Sequence, residues 1–129
     1  MTQALTPSTE LADHTRQVYA AMQAGDPQAV EALYSLAPGS VFIGSDTAEF
    51  WTDSAQHNQD VRPYWQPGSM VIEPGEITAC EMGDAGFTVD RPRISAAGRT
   101  WELRISLVWH RESDGMWRVV HSHASVGQD

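Results

Sequence analysis

The chain has 129 residues, 41% of them hydrophobic and 9% aromatic, and a formal net charge of -9. That is enough apolar material for one domain with its own core, and too much for a disordered tail. All eight basic residues are arginines, set against seventeen carboxylates. Phosphate backbones would be repelled, so nucleic-acid binding is not expected, and lysine Schiff-base chemistry is excluded.

Cys80 is the single cysteine, so no disulfide within the chain and no thiolate zinc site is expected. No run approaches the eighteen or so apolar residues that cross a bilayer, and no membrane contact is expected. The opening MTQALTPSTELADH has neither a basic start nor an apolar stretch, so a soluble cytoplasmic protein with no secretion signal is the expectation.

The periodicity predicts a first helix over 8–24, capped by Ser8 or Thr9, with Leu11, Thr15, Val18, Ala21 and Met22 near helical spacing. Gly25 suits its stop, Asp26 a new N-cap and Pro27 the first turn of a second helix. That helix carries Val30, Leu33 and Tyr34 until Ala37-Pro38-Gly39-Ser40 breaks it. Val41–Gly44 reads as a short strand. Asp46 and Glu49 have capping-box spacing, and Asp53 is placed to cap a third helix over about 53–65 that Pro63 should end or kink near Arg62. The remainder is strand-like: 69–82, interrupted by Pro74-Gly75, then 86–96, 99–111 and 116–126. Asp114-Gly115 joins the last two as a long hairpin. The whole chain, 1–129, reads as a single α+β domain in which three N-terminal helices pack on a curved antiparallel sheet.

Within 99–111, Trp101, Leu103, Ile105, Leu107 and Trp109 fall on one strand face and Glu102, Arg104, Ser106, Val108 and His110 on the other. The first set should be covered, at about 2 kcal/mol per buried side chain. In 116–126 neither alternate set is plainly solvent-like. A sheet half-buried on both sides predicts that its outer face meets a second subunit.

This order of elements resembles the nuclear transport factor 2-like superfamily. Val108-Trp-His-Arg, Asp114-Gly-Met-Trp117 and Val120-His-Ser-His-Ala-Ser125 are similar to the association (hub) domain of calcium/calmodulin-dependent kinase II and to bacterial SnoaL-like domains. Phe42-Ile43-Gly44 followed by Glu49-Phe50-Trp51 looks like the same family's lead into its third helix. The resemblance implies a cone-like roll: a sheet curled around the helices, a pocket within, and dimerisation through the outer face. The family includes isomerases, dehydratases, cyclases, ligand-binding modules and oligomerisation domains, so fold alone does not choose a reaction.

Carried over by position, His57 matches the hub's third-helix histidine, and Arg91 matches the arginine on the strand after the Gly83–Gly86 turn. Two further hub arginines would fall at Leu107 and Ala124, where this chain has none, so the pocket should be more apolar. The same match turns Trp101, Leu103, Ile105, Leu107, Trp109 and Ser122 inward, and His121 and His123 outward into the dimer interface.

His57 is accordingly the acid/base candidate, set against a reading as an exposed helix residue among Gln56, Asn58 and Gln59. Arg91 would steady developing negative charge, or else pair with Asp90, Glu81 or Glu76. Trp51, Tyr64 and Trp65 can line the open end of the pocket. Tyr19 and Tyr34 suit the core, and Asp90 should point away from Arg91. His121 and His123 project together but lack a third ligand, so no metal site and no cofactor is expected. The functional expectation is a homodimer that binds a compact, neutral or singly anionic small molecule. Cofactor-free isomerisation, dehydration or cyclisation would follow; the alternative is a non-catalytic ligand-binding or hub-like assembly domain.

Overall fold

The computed structural model describes residues 2–127. Helix α1 spans Thr9–Ala24, and the Ser8 hydroxyl accepts the Leu11 N–H at its start. Leu11, Thr15, Val18 and Tyr19 form its buried stripe. It ends at Gly25, left-handed at φ 68°, with the Gly25 N–H on Met22 O and the Asp26 N–H on Ala21 O. Asp26 caps α2 as expected, but α2 covers only Pro27–Ala32. Leu33 and Tyr34 leave the helix early because the last strand captures their backbone. The Val119 N–H donates to Leu33 O, and the Ser35 N–H donates to Val119 O.

The third helix is also shorter than expected: α3 is Ser54–Val61, followed by a 3₁₀ turn over Arg62–Tyr64 that contains Pro63. Asp53 caps it through the Gln56 N–H. Asp46 and Glu49 start no helix. The Glu49 carboxylate still reaches back to the Asp46 N–H at 2.9 Å, half of a capping box, but it closes a loop between two short strands.

Among the described residues nine strands form the sheet: β1 Thr6–Pro7, β2 Val41–Ile43, β3 Phe50–Trp51, β4 Val71–Glu73, β5 Thr78–Met82, β6 Ala85–Asp90, β7 Arg93–Ala96, β8 Arg99–Arg111 and β9 Trp117–Val126. The order is β1-β5-β6-β8-β9-β2-β3, and β4 joins through β7. Every pair is antiparallel except β2 with β9. The expected strand 69–82 is two strands in different pairings, β4 on β7 and β5 on β6. The expected strand 86–96 breaks at Arg91-Pro92, where proline has no N–H to give; the Pro92 carbonyl instead accepts the Leu103 N–H. Both halves pair with β8, whose thirteen residues are the spine of the curved sheet.

From Leu103 to Trp109 the odd-numbered side chains of β8 turn inward, whereas Trp101, expected to join them, lies off the cavity. Leu107 and Trp109 are buried, and the core under α1 joins them to Leu11, Val18, Phe42 and Val119. The Trp109 Nε1–H donates to Thr88 Oγ1, which also hydrogen-bonds Thr15. Asp90 is buried as well, accepting from the Tyr19 hydroxyl at 2.9 Å and the Gly75 and Arg91 N–H groups. All of these hydrogen bonds engage the carboxylate in holding the sheet edge.

The ambiguous face pattern of the last strand has a local cause. Trp109 pairs with Val119 while its neighbour Val108 pairs with His121, so Val120 is a bulged extra residue. Before the bulge Trp117 and Val119 are buried; after it Ser122 and Ala124 lie beside Leu107 and Ile105. His121 and His123 are thereby paired with Val108 and Ser106 on the outer face.

Candidate functional site

The helices leave the far half of the inner sheet face uncovered, and a cavity of about 250 Å³ opens there. Its floor is Leu103, Ile105 and Leu107 with Ser122 and Ala124 of β9, and the exposed His123, expected to face outward only, also borders it. One wall is α3 and the β2–β3 loop; the other is Met70, Ile72 and Ile94 from the β4–β7 ladder. No arginine lines it, and Glu49 is its only carboxylate among the described residues.

The Asp53 cap fixes the phase of α3, so that Ser54, His57, Asn58 and Val61 share the buried face. His57 is 7% exposed and lies among aromatic rings. Tyr34 stacks on it with centroids 5.3 Å apart and planes within 16°, Phe42 lies at 4.4 Å, and Trp51 meets it edge-on at 5.0 Å. Trp51 is itself oriented by its Nε1–H, which donates to Asp60 Oδ2. Arg62 clamps Glu31 through Nε and Nη2, tying the end of α3 to α2.

His57 Nδ1 lies 3.0 Å from Asn58 Oδ1. An amide oxygen only accepts, so Nδ1 carries the proton in this bond and Nε2 holds the lone pair. Nε2 has no partner among the described residues. Burial pushes the His57 pKa below its ordinary 6.5, against smaller upward pulls from Asn58, Asp60 and Glu31. Burial also holds the Tyr34 hydroxyl protonated far above its ordinary value.

Of the residues read from the sequence, His57, Trp51, Tyr64, Leu103, Ile105, Leu107 and Ser122 come together around the cavity, with Tyr64 half exposed at its mouth. Trp109 lies in the sealed core beside it. Arg91 is exposed, and together with Trp101, Glu102 and Arg104 it lines a separate outer depression. The break at Pro92 carries it off the inner face, so no cation faces His57 from this position. His121 donates from Nδ1 to Val41 O, a tie between β9 and β2. Tyr34 and Asn58 are the site residues that sequence reasoning gave to core and surface. The spacing 54, 57, 58, 61 after an Asp53 cap is the signal that would have placed Asn58 on the buried face.

No curated protein sequence gives a significant match. Among solved structures, the chain superposes on a protein provisionally assigned as a dehydratase of the NTF2-like family from Streptomyces avermitilis, with TM-score 0.80 and 15% identity over 93% of this chain and 95% of that one. A provisionally assigned calcium/calmodulin-dependent protein kinase II association domain from Xanthomonas campestris gives TM-score 0.77 and 17% identity over 100% and 99%. A provisionally assigned ketosteroid isomerase from Shewanella frigidimarina gives 0.73 and 17% over 88% and 92%. At these identities the likeness is one of fold. The family model for the SnoaL-like domain matches residues 12–129, and the chain belongs to that family.

Proposed function

We propose that the cavity binds a compact, largely apolar small molecule and that His57 moves a proton on it, in cofactor-free chemistry of the isomerase, dehydratase or cyclase kind. The observation that carries this reading is the imidazole itself. It is buried in the cavity wall, held at Nδ1 by Asn58, and has an unpartnered Nε2. Its lowered pKa leaves it neutral at pH 7, so the Nε2 lone pair is available as a base. The proton would pass from a ligand carbon to Nε2 while the electron pair shifts to an adjacent polarised group, and return at a second position. Tyr34, kept protonated, can donate towards the charge that develops.

The test uses 1-indanone, a flat carbon acid with exchangeable hydrogens next to its carbonyl, followed by NMR in deuterium oxide. The protein should accelerate exchange, and His57→Gln should lower that acceleration by about a hundredfold with affinity for the ketone retained. Wild-type protein that binds the ketone but leaves exchange at the buffer rate would refute the catalytic reading.

A second reading, assembly through the outer sheet face, is favoured by one row of side chains. Val41, His121, Val108, Phe87 and Cys80 pair across five adjacent strands and are each only half covered. Such a row is what a self-complementary dimer would bury.

A further inference from the structure

We infer that the ligand of this cavity is a neutral carbonyl compound whose oxygen is held by two hydroxyls, those of Tyr34 and Ser122, beside His57; this rests on the binding reading above. The Tyr34 hydroxyl, His57 Nε2 and the Ser122 hydroxyl each lack a partner among the described residues. Three other unpartnered atoms, Ser54 Oγ, Trp65 Nε1 and Trp117 Nε1, are sealed inside the protein. The first three are not sealed, and their residues all line the cavity. Tyr34 and His57 are only 6% and 7% exposed, so the hollow is the space that their open atoms meet. Phe42 brings the three together. Its ring lies 5.4 Å from that of Tyr34 and 4.4 Å from that of His57, and its backbone pairs with Ser122 in the parallel β2–β9 ladder. The bulge at Val120 turns Ser122 to the inner face, opposite Leu107.

Two hydroxyls and one imidazole lone pair make a particular demand of a guest. A hydroxyl can turn its hydrogen towards an acceptor, whereas the unprotonated Nε2 only accepts. An oxygen with two lone pairs and no hydrogen satisfies both hydroxyls and leaves Nε2 for an acidic C–H next to the carbonyl. A carboxylate or phosphate would find no arginine. An ammonium group would shed its water with no carboxylate among these three residues to replace it. In the proton transfer, the C–H bond breaks as its proton joins Nε2. The electron pair left behind forms a carbon–carbon double bond, and the carbonyl π pair moves onto the oxygen. Both hydroxyl hydrogen bonds strengthen as that charge grows. Return of a proton, or of a deuteron taken up from the solvent, to the same carbon restores the ketone. Ser122 thereby selects for the carbonyl and supports the reaction.

Three probes on one bicyclic frame test this: indane, which has no polar group, 1-indanone labelled with ¹³C at its carbonyl, and 1-aminoindane, which carries a cation. Isothermal titration should give 1-indanone an affinity about tenfold above indane, with 1-aminoindane weakest. The carbonyl ¹³C signal should move downfield on binding to wild-type protein, a readout that does not depend on any variant folding. Ser122→Ala and Tyr34→Phe should each lose part of that shift, and the double variant nearly all of it. Ser122→Ala should also slow deuterium exchange about a hundredfold while 1-indanone affinity falls only about threefold and indane affinity is unchanged. An unmoved carbonyl signal in the wild-type complex, a full shift retained by Ser122→Ala, or tightest binding of 1-aminoindane would each overturn the inference. Failure of all three probes to bind would instead reject the cavity as a binding site. A shifted carbonyl whose exchange stays at the buffer rate would support the two-hydroxyl contact and refute the proton transfer.

Discussion

At the level of single side chains, His57 is governed by two opposed neighbours: the aromatic wall that desolvates it and the Asn58 amide that fixes its tautomer. Two expectations follow for its titration. In the folded protein its pKa is lowered from 6.5, so below that value the unfolded chain binds a proton that the folded chain does not. Stability should therefore fall as pH drops from about 6.5 towards the folded value, and His57→Phe should flatten that part of a melting-temperature profile. Asn58→Asp places a carboxylate against Nδ1 and should raise the His57 pKa by about one unit, moving the acid limb of the exchange reaction to higher pH. An acid limb that stays in place would show that Asn58 does not touch the reacting imidazole. Thr88 makes a separate prediction about the core. Thr88→Val removes the acceptor of the Trp109 indole and should cost about 2 kcal/mol in a urea titration, leaving the cavity unaltered.

Among the elements, the C-terminus of α1 does more than stop a helix. Gly25 takes a positive φ, and a methyl group there would overlap the Gln66–Pro67 backbone. Helix end and cavity rim are thus packed one on the other, with Trp65 one residue before Gln66. Gly25→Ala should destabilise the fold by about 2 kcal/mol or more and weaken 1-indanone binding as well, because the clash is relieved by shifting the rim. Gly86 allows a similar approach by Leu11, which is how α1 comes down onto β6. Regular features of this kind were legible in the sequence. The two-residue period of β8 named its inner face from Leu103 to Trp109, though not at Trp101, and the Ser8, Asp26 and Asp53 caps dated three helix starts. What escaped was set by partners distant along the chain. Tyr34 leaves its helix because Val119 claims the backbone, Arg91 leaves the inner face because Pro92 breaks the ladder, and Trp65 becomes an orphan donor because no acceptor is folded against it. None of these follows from local periodicity, since each depends on which segment arrives opposite.

For the molecule as a whole, the cavity and the outer row occupy opposite faces of one sheet, so binding and assembly can be disturbed independently. Val108 sits at the centre of the outer row, paired with Phe87 on one side and His121 on the other. If the row is an interface, Val108→Glu should convert a dimer to a monomer in multi-angle light scattering, because a desolvated carboxylate would meet its own symmetry mate. Affinity for 1-indanone should persist in the monomer. A wild-type protein that is monomeric at micromolar concentration would remove the assembly reading and leave the cavity untouched.

The Val120 bulge sets the frame in which the final strand is read. Were Val120 paired with Val108 instead of bulged out, the downstream run would slip by one residue against β8, setting the imidazoles of His121 and His123 opposite Leu107 and Ile105 in place of the small Ser122 and Ala124. A hollow floored by compact, largely neutral groups would become crowded and proton-accepting, and the opposite surface would lose its tie to Val41. One inserted amino acid thus decides which chemistry this half of the chain turns towards the guest and which it turns towards the outside.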